Sequence, residues 1–306
     1  MKILFGRWIQ GCLKVFEIGE DDMLTFIFVA IYFFSPINLL AEELPKPVKS
    51  ELIADVSKIK AGETFKIGVR FKIEPNWHIY WKNPGDSGLP TSVNFVLPDS
   101  FIVRDLRWPI PVIFKRPGDI EDFGYEGSLL LFSEVKAPSD LSDYETIPIK
   151  AEVSWTSCSD ICIPGKSHLE TSFVSSDSDA PINTSLFEEW EKRLPIDYDP
   201  GTSPFIALIK RDMNSDQRES NITVTLDWRK KPLDVDWIPA PENELELDNI
   251  QIHKGSDKTD IIFKALVYPG QRLDSDILES LVLYVDQDGR RNGTVLQIPL
   301  KWNLKN

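Results

Sequence analysis

The reactive side chains of this sequence concentrate in one short segment. Cys158 and Cys162 lie four apart in Trp155-Thr156-Ser157-Cys158-Ser159-Asp160-Ile161-Cys162-Ile163-Pro164-Gly165, and the remaining cysteine, Cys12, sits near the amino terminus. Two thiols at this spacing support three chemistries. They can close a structural disulfide, exchange a disulfide reversibly, or hold a soft cation such as Cu(I) or Zn(II) with help from His168. A turn between the two strands predicted around them brings the Cα atoms within the ~4.4–6.8 Å that a disulfide needs. As a staple such a bond is weak: chain-entropy arithmetic gives about 2 kcal/mol for a five-residue loop against about 4.7 for a hundred-residue one. A chain of 306 residues can also build its core without one. Short or exposed disulfides tend to be the labile ones. The residues alone therefore leave clip and redox pair in balance, with metal binding as the lesser alternative.

Thiol exchange needs an accessible thiolate. Asp160, between the cysteines, would raise their pKa by like charge, and His168 could oppose it if close. Ile163-Pro164 should fix the exit of the turn. Other chemistries lack their residues. There is no nucleotide-binding glycine loop, zinc-protease motif or nucleophile elbow, and three histidines in the whole chain give a Ser-His-Asp hydrolase no support. A net charge of −14 argues against a nucleic-acid partner.

The elements that must position the pair read as β-structure. Twenty-two prolines and sixteen glycines point to many turns. Residues 1–41 form a targeting segment: Leu24–Phe34 is apolar apart from Thr25, which suits a signal peptide cleaved near Ala41 or, alternatively, an uncleaved anchor. From Glu51 the alternation of Leu52, Ala54 and Val56, then Phe65, Ile67, Val69 and Phe71, predicts strands. Further strands are predicted over 93–97, 101–108 and 129–135. Ile147, Ile149, Ala151, Val153 and Trp155 line a strand running into the cysteines, and Leu169, Thr171 and Phe173 lie on a return strand. This spacing without helical interleaving favours an all-β antiparallel sandwich over 42–176. Residues 177–195 read as a linker and a short helix, with Leu186, Phe187, Trp190 and Leu194 at helical spacing. Residues 196–306 read as a second, smaller β-rich domain packed on the first.

Three stretches carry a family resemblance: Trp77-His78-Ile79-Tyr80-Trp81-Lys82-Asn83-Pro84-Gly85-Asp86-Ser87-Gly88-Leu89-Pro90-Thr91, then Phe123-Gly124-Tyr125-Glu126-Gly127, then Cys158 to Gly165. With them, residues 51–174 resemble the amino-terminal periplasmic domain of the thiol:disulfide interchange protein DsbD, in its ScsB-type variant. The resemblance implies an immunoglobulin-like sandwich. It implies that Cys158 and Cys162 take electrons from a membrane-embedded donor and pass them to periplasmic thioredoxin-fold proteins, both supplied as separate chains, with no cofactor. It also makes Phe123 and Tyr125, in a Gly-flanked loop over 117–127, a mobile cap on the disulfide. Trp77, Tyr80 and Trp81 are candidates for partner docking or for the core. His78 reads as a structural, hydrogen-bonded histidine, and Asp86 as a turn former. The competing readings are a non-catalytic binding or scaffold protein with a structural disulfide, and copper handling through the reduced pair.

Overall fold

The computed structural model describes residues 45–300 apart from 119, 179, 214–217, 242–244 and 269–275; the predicted targeting segment lies outside them. The described chain is nearly all strand. The first ten strands are β1 (Val48–Ala54), β2 (Thr64–Ile73), β3 (His78–Gly85), β4 (Ser92–Val96), β5 (Ile102–Val103), β6 (Val112–Arg116), β7 (Ile120–Glu126), β8 (Ser128–Lys136), β9 (Ile147–Cys158) and β10 (Cys162–Phe173). They form two antiparallel sheets. One has the order β1-β2-β8-β5; the other has β10-β9-β3-β7-β6, with β4 also on β9. This is an immunoglobulin-like sandwich.

Period-two patterning explains the layering. Along β9 the inward positions Ile147, Ile149, Ala151, Val153 and Trp155 are buried, while Pro148, Lys150 and Glu152 are exposed. Ala151, Val153 and Trp155 meet Val69, Phe71, Leu129 and Leu131 from the facing sheet, and Ile147 and Ile149 meet Phe65, Ile67 and Val135. Phe71 packs edge-on against Trp155 at 5.8 Å between ring centroids.

A single helix follows among the described residues, α1 (Thr184–Glu191). Its apolar face buries Phe187 and Trp190 in the first core, with Phe187 edge-on to Phe132 at 5.7 Å. Asn183 caps it in the left-handed region, and its side-chain amide donates to the Ala54 carbonyl at 3.0 Å, tying the helix start to β1.

The remaining strands are β11 (Ile196–Asp197), β12 (Phe205–Met213), β13 (Glu219–Trp228), β14 (Asp234–Ala240), β15 (Leu245–Lys254), β16 (Lys258–Val267), β17 (Ile277–Val285) and β18 (Arg291–Pro299). They make two further four-stranded sheets, β11-β18-β17-β14 and β12-β13-β16-β15, around their own core. Ile238, Leu281 and Leu283 from this second region join the core of the first. Asn83, at the far end of β3, donates to the Pro239 carbonyl at 2.5 Å, and Lys82 pairs with Glu279. The strand that reaches the cysteines is thus braced by the second region.

Candidate active site

Cys158 ends β9 and Cys162 begins β10. The two are cross-strand partners closing a hairpin of twelve registered pairs. Their Cα atoms are 4.2 Å apart and their sulfurs are bonded. Within the turn the Ser159 amide donates to the Ile161 carbonyl at 3.0 Å. The two sulfurs sit in unlike environments. Cys158 is 0% exposed, whereas Cys162 is exposed and follows Ile161, a large apolar side chain left 53% exposed.

The register explains the burial of Cys158. The inward positions of β9 are the odd-numbered ones, so Cys158 points to the outer face of the sheet. That face is nonetheless closed to solvent at Cys158. The second edge of β9 is shared: β4 pairs with 150–154, and β3 pairs with 157–158. The segment joining β3 to β4 therefore passes the sheet beside the cysteine end. Gly88 in this segment has φ +75, and a Cβ there would lie 2.2 Å from the Tyr80 ring, so the backbone rests directly on that ring. Asp122, fully buried, anchors the same segment by accepting from the Ser87 amide at 3.1 Å and the Ser87 hydroxyl at 2.9 Å, and it pairs with Arg116. Asp86 completes the anchor: its backbone amide donates to the Glu121 carbonyl at 2.9 Å.

His78 is the cross-strand neighbour of Cys158 on β3. It pairs with Cys158 on one side and with Glu126 on the other, so these side chains share a face of the sheet. Its ring stacks on Phe114 at 4.6 Å and meets Tyr80 edge-on at 5.1 Å. It is 9% exposed, and its Nε2 is buried without a hydrogen-bond partner. Burial lowers its pKa below the usual histidine value, the Arg116 cation adds to this, and Glu126 opposes it. The imidazole is therefore neutral at pH 7.

Several expectations change here. The predicted loop 117–127 is largely strand: residues 120–126 are β7, hydrogen-bonded between β3 and β6. Phe123 and Tyr125 are buried and face the core with Ile79, on the opposite side of the sheet from Cys158. The Tyr125 hydroxyl donates to the Pro109 carbonyl at 2.7 Å. The aromatics on the cysteine side are Tyr80 and, from β6, Phe114. Alternation was hidden because Gly124 interrupts the β7 pattern; a Cβ there would meet the Ile79 carbonyl oxygen at 2.1 Å. Of the three docking candidates, Tyr80 and Trp81 are buried, and Trp77 is half-buried against the core. His168 is six residues along β10 from Cys162, opposite Glu152, about 20 Å away at about 3.3 Å per residue. It can neither tune the pair nor join it around a metal. Among the described residues no group of three or more histidine, cysteine or acidic side chains is placed to hold a metal ion. Asp160 is exposed in the turn. One sequence could not single out His78 or Phe114, because their relation to Cys158 depends on strand order.

Residues 45–173 match the family described as the amino-terminal part of the thiol:disulfide interchange protein DsbD. This region is a DsbD amino-terminal-like domain. The chain is also similar to the crystal structure of the N-terminal periplasmic domain of ScsB from Proteus mirabilis. The TM-score is 0.59 at 18% identity, over 83% of this chain and 94% of that one. That likeness covers more than the DsbD-like region alone and concerns the fold. A marsupial T cell receptor matches at 9% identity over 82% of this chain and 100% of that one, with a TM-score of 0.19, too low to carry an argument. No curated protein matches the chain. Among the described residues no helix is long and apolar enough to cross a membrane.

Proposed function

We propose that the chain is a periplasmic thiol–disulfide exchange module, exported by its amino-terminal segment, that passes reducing equivalents through Cys158 and Cys162. A membrane-embedded thiol–disulfide donor and thioredoxin-fold clients are its partners. The observation that carries this reading is the asymmetry of the pair: an exposed Cys162 beside an exposed Ile161, and a Cys158 wholly covered. A partner thiolate attacks Cys162 Sγ in line with the S–S bond. A new disulfide forms between the partner and Cys162, the Cys158–Cys162 bond breaks, and Cys158 departs as a thiolate. The partner's second thiolate then attacks its own sulfur in the mixed disulfide, releasing Cys162 and leaving the pair reduced. Reduction of a client runs the same steps backwards, with Cys162 attacking first.

A purely structural clip has weaker support. The bond joins the closing pair of a hairpin whose twelve registered pairs already hold its ends together. The bond constrains little that the ladder does not.

The test is trapping. Cys158→Ser leaves the exposed thiol, and in an envelope extract it should accumulate a mixed disulfide with a thioredoxin-fold or membrane thiol protein. Cys162→Ser should accumulate far less. A pair that stays oxidised in the folded chain at potentials below about −300 mV would overturn the reading. So would a Cys158→Ser, Cys162→Ser double variant that keeps full partner function and loses only stability.

A further inference from the structure

The buried sulfur leaves as an anion, and a thiolate taken out of water is costly unless a donor meets it. The side chains around it offer few donors. Cys158 has Cys162 as partner across one edge of β9 and His78 across the other. Phe114 and Tyr80 wall the imidazole. The charged groups facing His78 are Glu126 from β7 and Arg116 from β6; Asp122 and Ser87 both engage Arg116. Asp160, in the turn, is exposed. Nε2 of His78 has no hydrogen-bond partner despite its burial. A buried polar atom without a partner is uncommon and asks for a reason. An acceptor that exists only in the reduced or mixed-disulfide state supplies one.

We propose that His78 is a positioning residue that holds the Cys158 thiolate, its neutral imidazole donating the Nε2 hydrogen to the sulfur once the disulfide opens. The inference rests on the exchange reading above and adds a role to a side chain that reading does not use. In the oxidised state Cys158 sulfur is a poor acceptor and the donor waits. When a thiolate attacks Cys162, negative charge develops on Cys158 and the hydrogen bond forms as the S–S bond breaks. No proton is transferred and none is needed: the imidazole keeps the Nε2 hydrogen that it donates. Phe114 and Tyr80 fix the plane of the ring, and the full burial of Cys158 keeps water from competing for the sulfur. A lower leaving-group pKa makes a disulfide open faster, so the donor acts on rate as well as on equilibrium.

The test uses the full chain and a small monothiol, glutathione, as the probe, with no partner protein required. His78→Phe keeps an aromatic ring on Phe114 and removes the donor; His78→Gln keeps an N–H. With His78→Phe the disulfide should open about tenfold more slowly, and the reduced Cys158 thiol, followed by its thiolate absorbance in Cys162→Ser protein, should titrate about one unit higher. His78→Gln should restore most of both. In wild-type protein the His78 side-chain ¹⁵N signals should step at the pH where Cys158 titrates. That measurement stands if His78→Phe does not fold. Equal opening rates and thiol pKa values in wild type and His78→Phe would overturn the proposal, as would histidine signals that ignore the Cys158 titration. If the wild-type pair opens with glutathione and responds to His78 but traps no protein partner, the exchange reading fails while the assignment of the donor survives.

Discussion

Replacing Gly88 by alanine should destabilise the disulfide-bearing sandwich by about 2–5 kcal/mol, and the structure divides that cost into two parts. Gly88 has φ +75. An alanine held in the left-handed region costs about 1–2 kcal/mol. The second part is contact. The new Cβ would stand 2.2–2.6 Å from three carbons of the Tyr80 ring, where ordinary contact begins near 3.4 Å. Tyr80 is fully buried, so it has no space into which to retreat. The loop must lift by about an ångström, and overpacking of this kind costs about 1–3 kcal/mol. Lifting also stretches the bonds from Ser87 to Asp122, now 3.1 and 2.9 Å. Gly118→Ala is the internal control. Gly118 has φ +90 but nothing within 4 Å of a Cβ, so it should show the backbone cost alone. Urea unfolding followed by tryptophan fluorescence compares the two variants. The Gly88→Ala protein should also expose Cys158, read as faster alkylation of that thiol in reduced Cys162→Ser protein. Equal destabilisation by the two substitutions, with unchanged alkylation of Cys158, would refute the claim that this loop rests on Tyr80 and seals the sulfur.

Asp122→Ala should cost about 3 kcal/mol or more, since it removes a wholly buried carboxylate and leaves Arg116 without its counter-charge; Asp122→Asn should cost less, and urea midpoints compare them. Stability should depend on His78 between neutral and mildly acid pH. Its folded pKa lies below the unfolded value of 6.5, so the unfolded chain binds the proton first. The folded state then loses stability as pH falls from about 6.5 toward the folded pKa, with a slope of at most about 1.4 kcal/mol per pH unit. His78→Gln should flatten this part of the profile, measured as urea stability at pH 7.5 and 5.5. Oxidised protein is the sample to use, since the thiols then do not titrate.

Much of the architecture was legible in the chain. Alternation over 65–71 and 147–155 reports a sheet with one face in a core, because side chains on a strand repeat every two residues. The helix was equally clear, since Phe187 and Trp190 fall on one face and both are buried. Prediction failed where a glycine broke the pattern. Gly124 is needed for backbone contact with β3. It sits between Phe123 and Tyr125, which made 117–127 read as a loop and hid β7.

The cysteine pair shows where sequence reasoning ends. Spacing within one hairpin fixes that Cys158 and Cys162 can meet, because their separation along the chain is short and local geometry governs it. The three motif stretches likewise mark the DsbD amino-terminal-like domain. Which sulfur faces solvent was not available from the chain. That depends on β3 and β4 sharing the second edge of β9, on the loop between them lying over Tyr80, and on Phe114 reaching across Gly124 to His78. Apart from the contact of Gly88 with Tyr80, these join residues 36 to 80 positions apart. Their energies belong to strand order and register, which a local pattern does not encode, so only the tertiary structure could make Cys158 the covered sulfur and His78 its neighbour.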